Sequence, residues 1–324
     1  MTKILITGGA GYIGSHIVKL LTQKKYQTIT LDDLSSGHRD AVLDGDFIQG
    51  DVGDEKLVND IIKKNKPAAV IHLAASIQVE ESITNPIKYY FNNTFKTLKL
   101  LEVLTKNNIN NFIFSSTAAV YGNPSKIPVA ETENLTPINP YGNSKKFSEQ
   151  ILIDMANSSG IRHMILRYFN VAGADPEGDL GQRYESTANL IDKTLKVAKG
   201  ESPKIEIYGT NFKTQDGTCV RDYIHVTDIA QAHLICLEHL LNGGKSNIFN
   251  LGYGQGFSVK EIIKIAQKIT KINFTVEETK ARQADPPIVI ADSSKIKATL
   301  NWQPQYNDIE YIIKTAWDWQ NNKK

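Results

Sequence analysis

Tyr141-Gly-Asn-Ser-Lys145 places a phenol and an ammonium four residues apart, on one face if a helix starts near Tyr141. The spacing has a chemical use. A tyrosine with an ordinary pKa of about 10 is a poor base at neutral pH. A cation about 4 Å away, at an effective dielectric of about 20, is worth about 4 kcal/mol or roughly three pKa units, enough to let the phenol take a hydroxyl proton. With thirteen tyrosines in the chain, about one Tyr-x-x-x-Lys is expected by chance. Placement distinguishes this one: it follows an apolar run, residues 112–115, and the hydroxyl cluster Ser115-Ser116-Thr117. A hydroxyl, a phenol and an ammonium can therefore meet beyond the end of one strand.

The elements that must position these groups begin at residues 3–14, where an apolar β-branched run meets Gly8, Gly9, Gly11 and Gly14. The last three spell G-x-G-x-x-G, and Ile13, Ile17, Val18, Leu20 and Leu21 continue with helical spacing. Strand, glycine turn and helix N-terminus together make a cradle for a pyrophosphate. A second strand over residues 28–31 ends in Asp32, where a ribose-binding acid is expected. Its charge would repel a 2′-phosphate, which favours NAD over NADP despite the nearby His38 and Arg39.

Further strands are predicted over residues 47–49, 68–72, 112–115 and 164–168, alternating with helical segments. The alternation implies an α/β, Rossmann-like, doubly wound parallel sheet with its ligands beyond the strand C-termini. Residues 8–14, Asp32, Asp51-Val52, residues 73–77, residues 115–117 and Phe169-Asn170 should line one crevice. The texture changes near Tyr168, so residues 1–168 are read as the dinucleotide lobe and 169–324 as a smaller mixed α/β lobe. A helix over 227–241 is expected to pack back on the first lobe. In the second, Ser258 and Glu261 form a capping box opening a helix to Thr270, and Ala284-Asp285-Pro286-Pro287 is a rigid loop before an apolar strand.

With 324 residues, 41% hydrophobic and 22% charged, the chain reads as an ordinary globular protein, and its formal net charge of +2 implies neither nucleic acid nor an anionic membrane as partner. The lysine clusters Lys63, Lys64 and Lys66, and Lys323 and Lys324, read as solvated faces. No signal peptide or membrane-spanning run is visible. The two cysteines, Cys219 and Cys236, need not pair, so a cytoplasmic location is expected. The seven histidines lack metal-site spacing, and no metal is expected.

Thr7-Gly-Gly-Ala-Gly-Tyr-Ile-Gly14, Phe112-Ile-Phe-Ser-Ser-Thr-Ala-Ala-Val-Tyr-Gly122, Pro140-Tyr-Gly-Asn-Ser-Lys145, Leu166-Arg-Tyr-Phe-Asn170, Arg221-Asp-Tyr-Ile-His-Val226 and Asn250-Leu-Gly252 resemble the extended short-chain dehydrogenase/reductases. In this combination they resemble the UDP-glucose/UDP-galactose 4-epimerase branch, over residues 3 to about 320. The resemblance implies NAD-dependent C4 epimerisation of a UDP-hexose through a 4-keto sugar, with Tyr141 as base, Lys145 as its electrostatic partner and nicotinamide-ribose ligand, and Thr117 as hydroxyl to the sugar's 4-OH. It places the cofactor on Gly8, Gly11, Tyr12, Ile13, Gly14, Asp32, Asp33, Leu34, Ser35, Ser36, Gly37, Asp51, Val52, Leu73, Ala74, Ala75, Ile77, Asn92 and Phe169. It places the nucleotide sugar on Asn170, Asn189, Tyr208, Arg221, Arg282, Asp285 and Val289.

Three positions depart from the family pattern: Thr117 stands where many relatives have serine, which keeps the hydroxyl, Ile77 where relatives have lysine, and Glu80 where glycine is common. For each arginine taken singly, a surface ion pair is the plainer reading. Epimerisation of N-acetylated or uronic UDP-sugars stays open. A dehydratase would need an acid near residues 117–119, which are Thr-Ala-Ala, and a silent NAD-binding protein would be expected to have lost Tyr141 or Lys145. Val289 occupies a position where strict glucose/galactose epimerases carry tyrosine, which implies room for an acetamido group. Helices near residues 90–104 and 147–155 carry Phe91, Phe95, Leu98, Leu101, Phe147, Ile151 and Leu152, and the resemblance implies a homodimer through them.

Overall fold

The computed structural model describes residues 1–183, 189–282 and 285–322. Ala284 of the predicted loop and the Lys323-Lys324 pair lie outside the described residues.

The first lobe runs β1 (Lys3–Thr7), α1 (Tyr12–Gln23), β2 (Gln27–Asp32), β3 (Asp46–Gln49), α2 (Glu55–Asn65), β4 (Ala69–His72), α3 (Val79–Thr84), α4 (Pro86–Tyr89), a π-helical turn (Tyr90–Phe95), α5 (Lys96–Lys106), β5 (Asn111–Thr117), α6 (Pro140–Ser159) and β6 (Arg162–Tyr168). The four strands predicted after β2 all form, each within three residues of its expected ends. After β6 come β7 (Asn170–Ala172), α7 (Leu190–Ala198), β8 (Ile205–Tyr208), β9 (Val220–His225), α8 (Val226–Leu241), β10 (Asn247–Leu251), β11 (Gly256–Ser258), α9 (Val259–Thr270), β12 (Val276–Thr279), β13 (Ile288–Val289), α10 (Ser294–Leu300) and α11 (Ile309–Asn322).

Seven strands make one parallel sheet in the order β10-β6-β5-β4-β1-β2-β3. Alternation along β1 feeds two cores. Ile4 and Ile6 pack with Ile17, Val18 and Leu21 of α1 and Ile229, Leu234 and Leu237 of α8, while Leu5 packs with Val58 and Ile61 of α2 and Leu100 and Leu104 of α5. The sheet is covered on both faces, and its central strands carry the short apolar runs Ile4-Leu5-Ile6, Ala69-Val70-Ile71 and Phe112-Ile113-Phe114.

The chain crosses the boundary read at residue 168 more than once. Helix α8 packs back as expected. In addition β10, whose residues lie well past that boundary, pairs with β6 and closes the edge of the first-lobe sheet, with Asn247 opposite Met164 and Leu251 opposite Tyr168.

The second lobe holds β9 between β11 and β13 with β7 also on β9, and a separate β8–β12 pair. The predicted capping box forms at α9: Ser258 Oγ accepts from Glu261 N at 3.1 Å and Glu261 accepts from Ser258 N at 2.7 Å. The lobes are joined where Lys19 of α1 meets Asp175, Glu177 and Asp179 at 2.7, 2.6 and 2.8 Å. Among the described residues no helix is long and apolar enough to cross a membrane.

Candidate active site

All seven strands are parallel, so the strand ends carrying the predicted groups share one edge of the sheet. After β1, Gly8 turns at φ +76°, and a Cβ there would stand 2.5 Å from the backbone nitrogen of Ala74. A Cβ on Gly14 would stand 2.1 Å from the Gly8 carbonyl oxygen. Only bare backbone lets α1 and the exit of β4 approach the loop this closely. Helix α1 begins at Tyr12 with Gly11 as N-cap and no side chain capping it. Its first N–H groups therefore stay available to an anion. The Tyr12 hydroxyl is spent elsewhere, donating to the Gly173 carbonyl at 2.6 Å.

Asp32 ends β2 and is buried. One carboxylate oxygen accepts from Ala10 N at 2.9 Å and the other from Leu34 N at 2.9 Å. Burial raises its pKa, while those two N–H groups pull it down. A carboxylate has about four acceptor sites, so two remain for ribose hydroxyls. Beyond it, Asp33 accepts from Ser35 N at 2.9 Å, and Ser35 and Ser36 are exposed. A Cβ on Gly37 would lie 2.9 Å from the Asp32 carboxylate.

Leu73 N and Ala74 N both donate to Thr7 O, binding the β4 exit to the glycine loop, with Ala75 following. Ile77 is 45% exposed. Asp51 meets Lys96 at 2.6 Å, and Val52 is buried in the core beside α2. Asn92 donates to Ser76 Oγ at 3.1 Å, and Phe169 is buried next to Asn170, which is exposed.

Thr117, Tyr141 and Lys145 lie on β5 and α6. Thr117 ends β5, and its hydroxyl accepts from Ala119 N at 3.1 Å. Tyr141 and Lys145 lie one turn apart on α6, whose N-terminus is capped by Asn139 through Gly142 N at 2.8 Å. Gly142 brings the parts together: a Cβ there would be 2.6 Å from the Ala119 carbonyl oxygen, so a larger residue would push α6 away from Thr117. Lys145 is buried. Its ammonium donates to Ser115 O at 2.8 Å and lies 4.9 Å from the centre of the Phe114 ring. Burial lowers its pKa to about 7, with Glu149 working the other way. The Tyr141 ring stands edge-on to Tyr89 at 6.3 Å.

On the second-lobe side, Asn189 caps α7 through Ile191 N at 3.0 Å and donates to Val171 O at 2.8 Å. The Arg221 guanidinium pairs with Asp285. The Arg282 guanidinium lies 3.6 Å from the centre of the Tyr208 ring, whose hydroxyl bonds to Glu206. Val289 is opposite Arg221 in the β13–β9 register and is buried with Val120, Tyr121 and Phe169.

Several residues that order the site carried no local signal. Asn93 is buried and bonds Ser76 N, Ser76 O and Ser144 Oγ, stitching the β4 loop to α6. Glu149 is buried against Arg167 at 2.6 Å and also bonds Ser116, which anchors α6 to β5 and β6. Each is an ordinary polar residue in sequence, and only its burial marks it.

The model of the NAD dependent epimerase/dehydratase family matches residues 4–252. A UDP-glucose 4-epimerase of Halalkalibacterium halodurans is 42% identical over 316 residues, covering 98% of this chain and 95% of that protein. The structure of UDP-glucose 4-epimerase from Brucella ovis in complex with NAD is 42% identical with a TM-score of 0.95, covering 98% of each chain. That of the UDP-Glc/GlcNAc 4-epimerase from Campylobacter jejuni is 45% identical with a TM-score of 0.87, covering 100% of each.

Proposed function

The chain belongs to the NAD dependent epimerase/dehydratase family, and from that premise we propose how it inverts C4 of UDP-glucose and UDP-galactose. The observation that supports the reading is Lys145 of α6, one turn from Tyr141, donating to Ser115 O of β5 at 2.8 Å, two residues before Thr117 and on the same sheet edge as the glycine loop and Asp32.

The residues fit NAD. The uncapped N-terminus of α1 suits its pyrophosphate, Asp32 suits the adenosine ribose, and Lys145 suits the nicotinamide ribose. NAD held by these residues would supply a reversible hydride acceptor for C4 of the sugar, with no net oxidation. The protein's part is proton handling and orientation. Thr117 Oγ1 orients the 4-OH, Tyr141 Oη takes its proton and later returns it, and the Lys145 cation makes the phenolate accessible near neutral pH. Arg221 and Arg282 supply the forked donors that a diphosphate requires, and Tyr208, Asn189 and Asn170 flank the nucleotide.

The test is incubation of purified protein, without added cofactor, with a panel of UDP-hexoses, reading C4 epimers by chromatography or NMR. Interconversion of UDP-glucose and UDP-galactose is expected. Activity only on added NAD, with NADH accumulating in step with product, would instead mark a dehydrogenase.

One observation favours a second substrate. Val289 presents a small side chain beside Arg221, and the Campylobacter jejuni relative carries both UDP-Glc and UDP-GlcNAc in its name. UDP-N-acetylglucosamine is therefore proposed as an additional substrate. A homodimer is proposed from the face formed by Phe91, Phe95, Leu98 and Phe147, which are 54, 42, 39 and 48% exposed. Leu101 and Leu152, read as part of that face, are instead buried in the core. A cytoplasmic setting is supported by Cys219 and Cys236, which are buried and unpaired.

A further inference from the structure

Arg282 is held from both lobes. Its flat face lies on Tyr208, which ends β8, and its Nε lies 2.9 Å from a carboxylate oxygen of Glu80 on α3. The second contact is an ion pair rather than an aligned hydrogen bond. Among the described residues Arg282 makes no other ion pair, and the Tyr208 hydroxyl is a further electrostatic partner. Lys193 of α7 faces the same guanidinium. Burial first and Arg282 second lower its pKa, while Glu80 and Glu206 raise it. Glu206 is already engaged by the Tyr208 hydroxyl and by Lys204 at 3.6 Å. Glu80 is thus the carboxylate that pairs with Arg282 and offsets the repulsion between Arg282 and Lys193.

We propose that Glu80 is a positioning residue for nucleotide-diphosphate binding: it holds Arg282 by the Nε edge, flat on Tyr208, before the anion arrives. The inference rests on Arg282 being a diphosphate ligand. Its physical content is preorganisation. An arginine already fixed in its fork geometry loses less rotamer freedom on binding than a mobile one, and without Glu80 the Lys193 charge would drive it off its seat. Simple charge counting predicts the reverse, since a carboxylate at the mouth repels a dianion. The two accounts differ in sign. Because Glu80 sits on the cofactor side and Arg282 on the substrate side, the pair also ties the lobes across the crevice.

The test is calorimetric titration of the NAD-loaded protein with UDP, comparing the parent with Glu80→Gln, Arg282→Ala and the double variant. Glu80→Gln is expected to weaken UDP about two- to fivefold, the range of a partly exposed ion pair, with the loss appearing in KM rather than kcat and reduced at high salt. In the Arg282→Ala background it should have no further effect, and Glu80→Asp should restore part of the affinity. Unchanged or tighter UDP binding by Glu80→Gln, or an equal loss in both backgrounds, would overturn the proposal. Should Arg282→Ala bind UDP as tightly as the parent, the diphosphate role of Arg282 fails first, separately from Glu80.

Discussion

The Lys145 ammonium donates to the Ser115 carbonyl at 2.8 Å, two residues before Thr117, and burial brings its pKa down to about 7. Burial thus works against the charge on the very cation that is to acidify Tyr141. A phenolate at Tyr141 would favour the charged amine in return. Replacing Lys145 by methionine should lower turnover by about 10² or more and move the acidic limb of the pH–rate profile upward, since a base without its cation holds its proton to higher pH. An unmoved limb would detach Lys145 from the proton chemistry.

The same variant should be more stable than the parent. The amine's pKa is lower in the folded protein than in the unfolded chain, where it is ordinary. Its burial penalty is therefore fully present below about pH 7 and fades as pH rises toward the unfolded value. Urea unfolding at pH 6 should show a gain of about 1 to 3 kcal/mol for Lys145→Met, after roughly 1 kcal/mol is lost with the Ser115 bond. The gain should shrink by pH 9.

Tyr141→Phe should reduce turnover by about 10² to 10⁴ and leave NAD bound, because it deletes one hydroxyl and keeps the ring against Tyr89. Turnover follows from the epimerisation assay, and bound cofactor from the absorbance of the purified protein. Near-normal turnover would remove Tyr141 as the base.

Much of this was legible in advance because the cofactor side is written in local patterns. The glycine spacing, the apolar strands and the Tyr141–Lys145 interval each fit within a few residues, and the sheet follows from their alternation. What was not legible depends on distant partners. Glu149 with Arg167, Asn93 with Ser144, and Glu80 with Arg282 are pairs in which neither member signals the other. The pairing of β10 with β6 was hidden for the same reason, since Asn-Ile-Phe-Asn-Leu reads equally well as a strand of the smaller lobe.

Phe147→Glu should give a monomer. Phe147 lies tilted against Tyr90 at 6.0 Å, and Phe91 stacks at 5.1 Å with Phe95, so the proposed face carries two exposed aromatic pairs on which a charge would be buried in a dimer. Light scattering of parent and variant at low micromolar concentration checks this. A parent that is already monomeric would remove the proposal.

Val289→Tyr should separate the two sugars. A phenol placed among Val120, Tyr121 and Phe169 overpacks the site by about 1 to 3 kcal/mol, a factor of roughly 5 to 150. The loss should fall on UDP-N-acetylglucosamine and spare UDP-glucose. Equal losses on both, or a parent inactive on the N-acetylated sugar, would exclude Val289 as a gate.

The place of β10 at the sheet edge bears on how the protein is made. The ribosome releases six strands of the cofactor sheet by Tyr168, but the seventh and the α8 cover arrive only with residues 226–251. Until then β6 has an unpaired edge and the face bearing Ile4, Ile6 and Leu166 lacks half of its lid, the kind of surface that recruits chaperones or neighbouring chains. Residues 1–168 expressed alone should therefore aggregate, whereas a fragment extended to residue 252 would have the whole sheet. The parallel sheet can be completed only after residues well beyond 168 have been made, because β10 is its edge strand and α8 covers one of its faces.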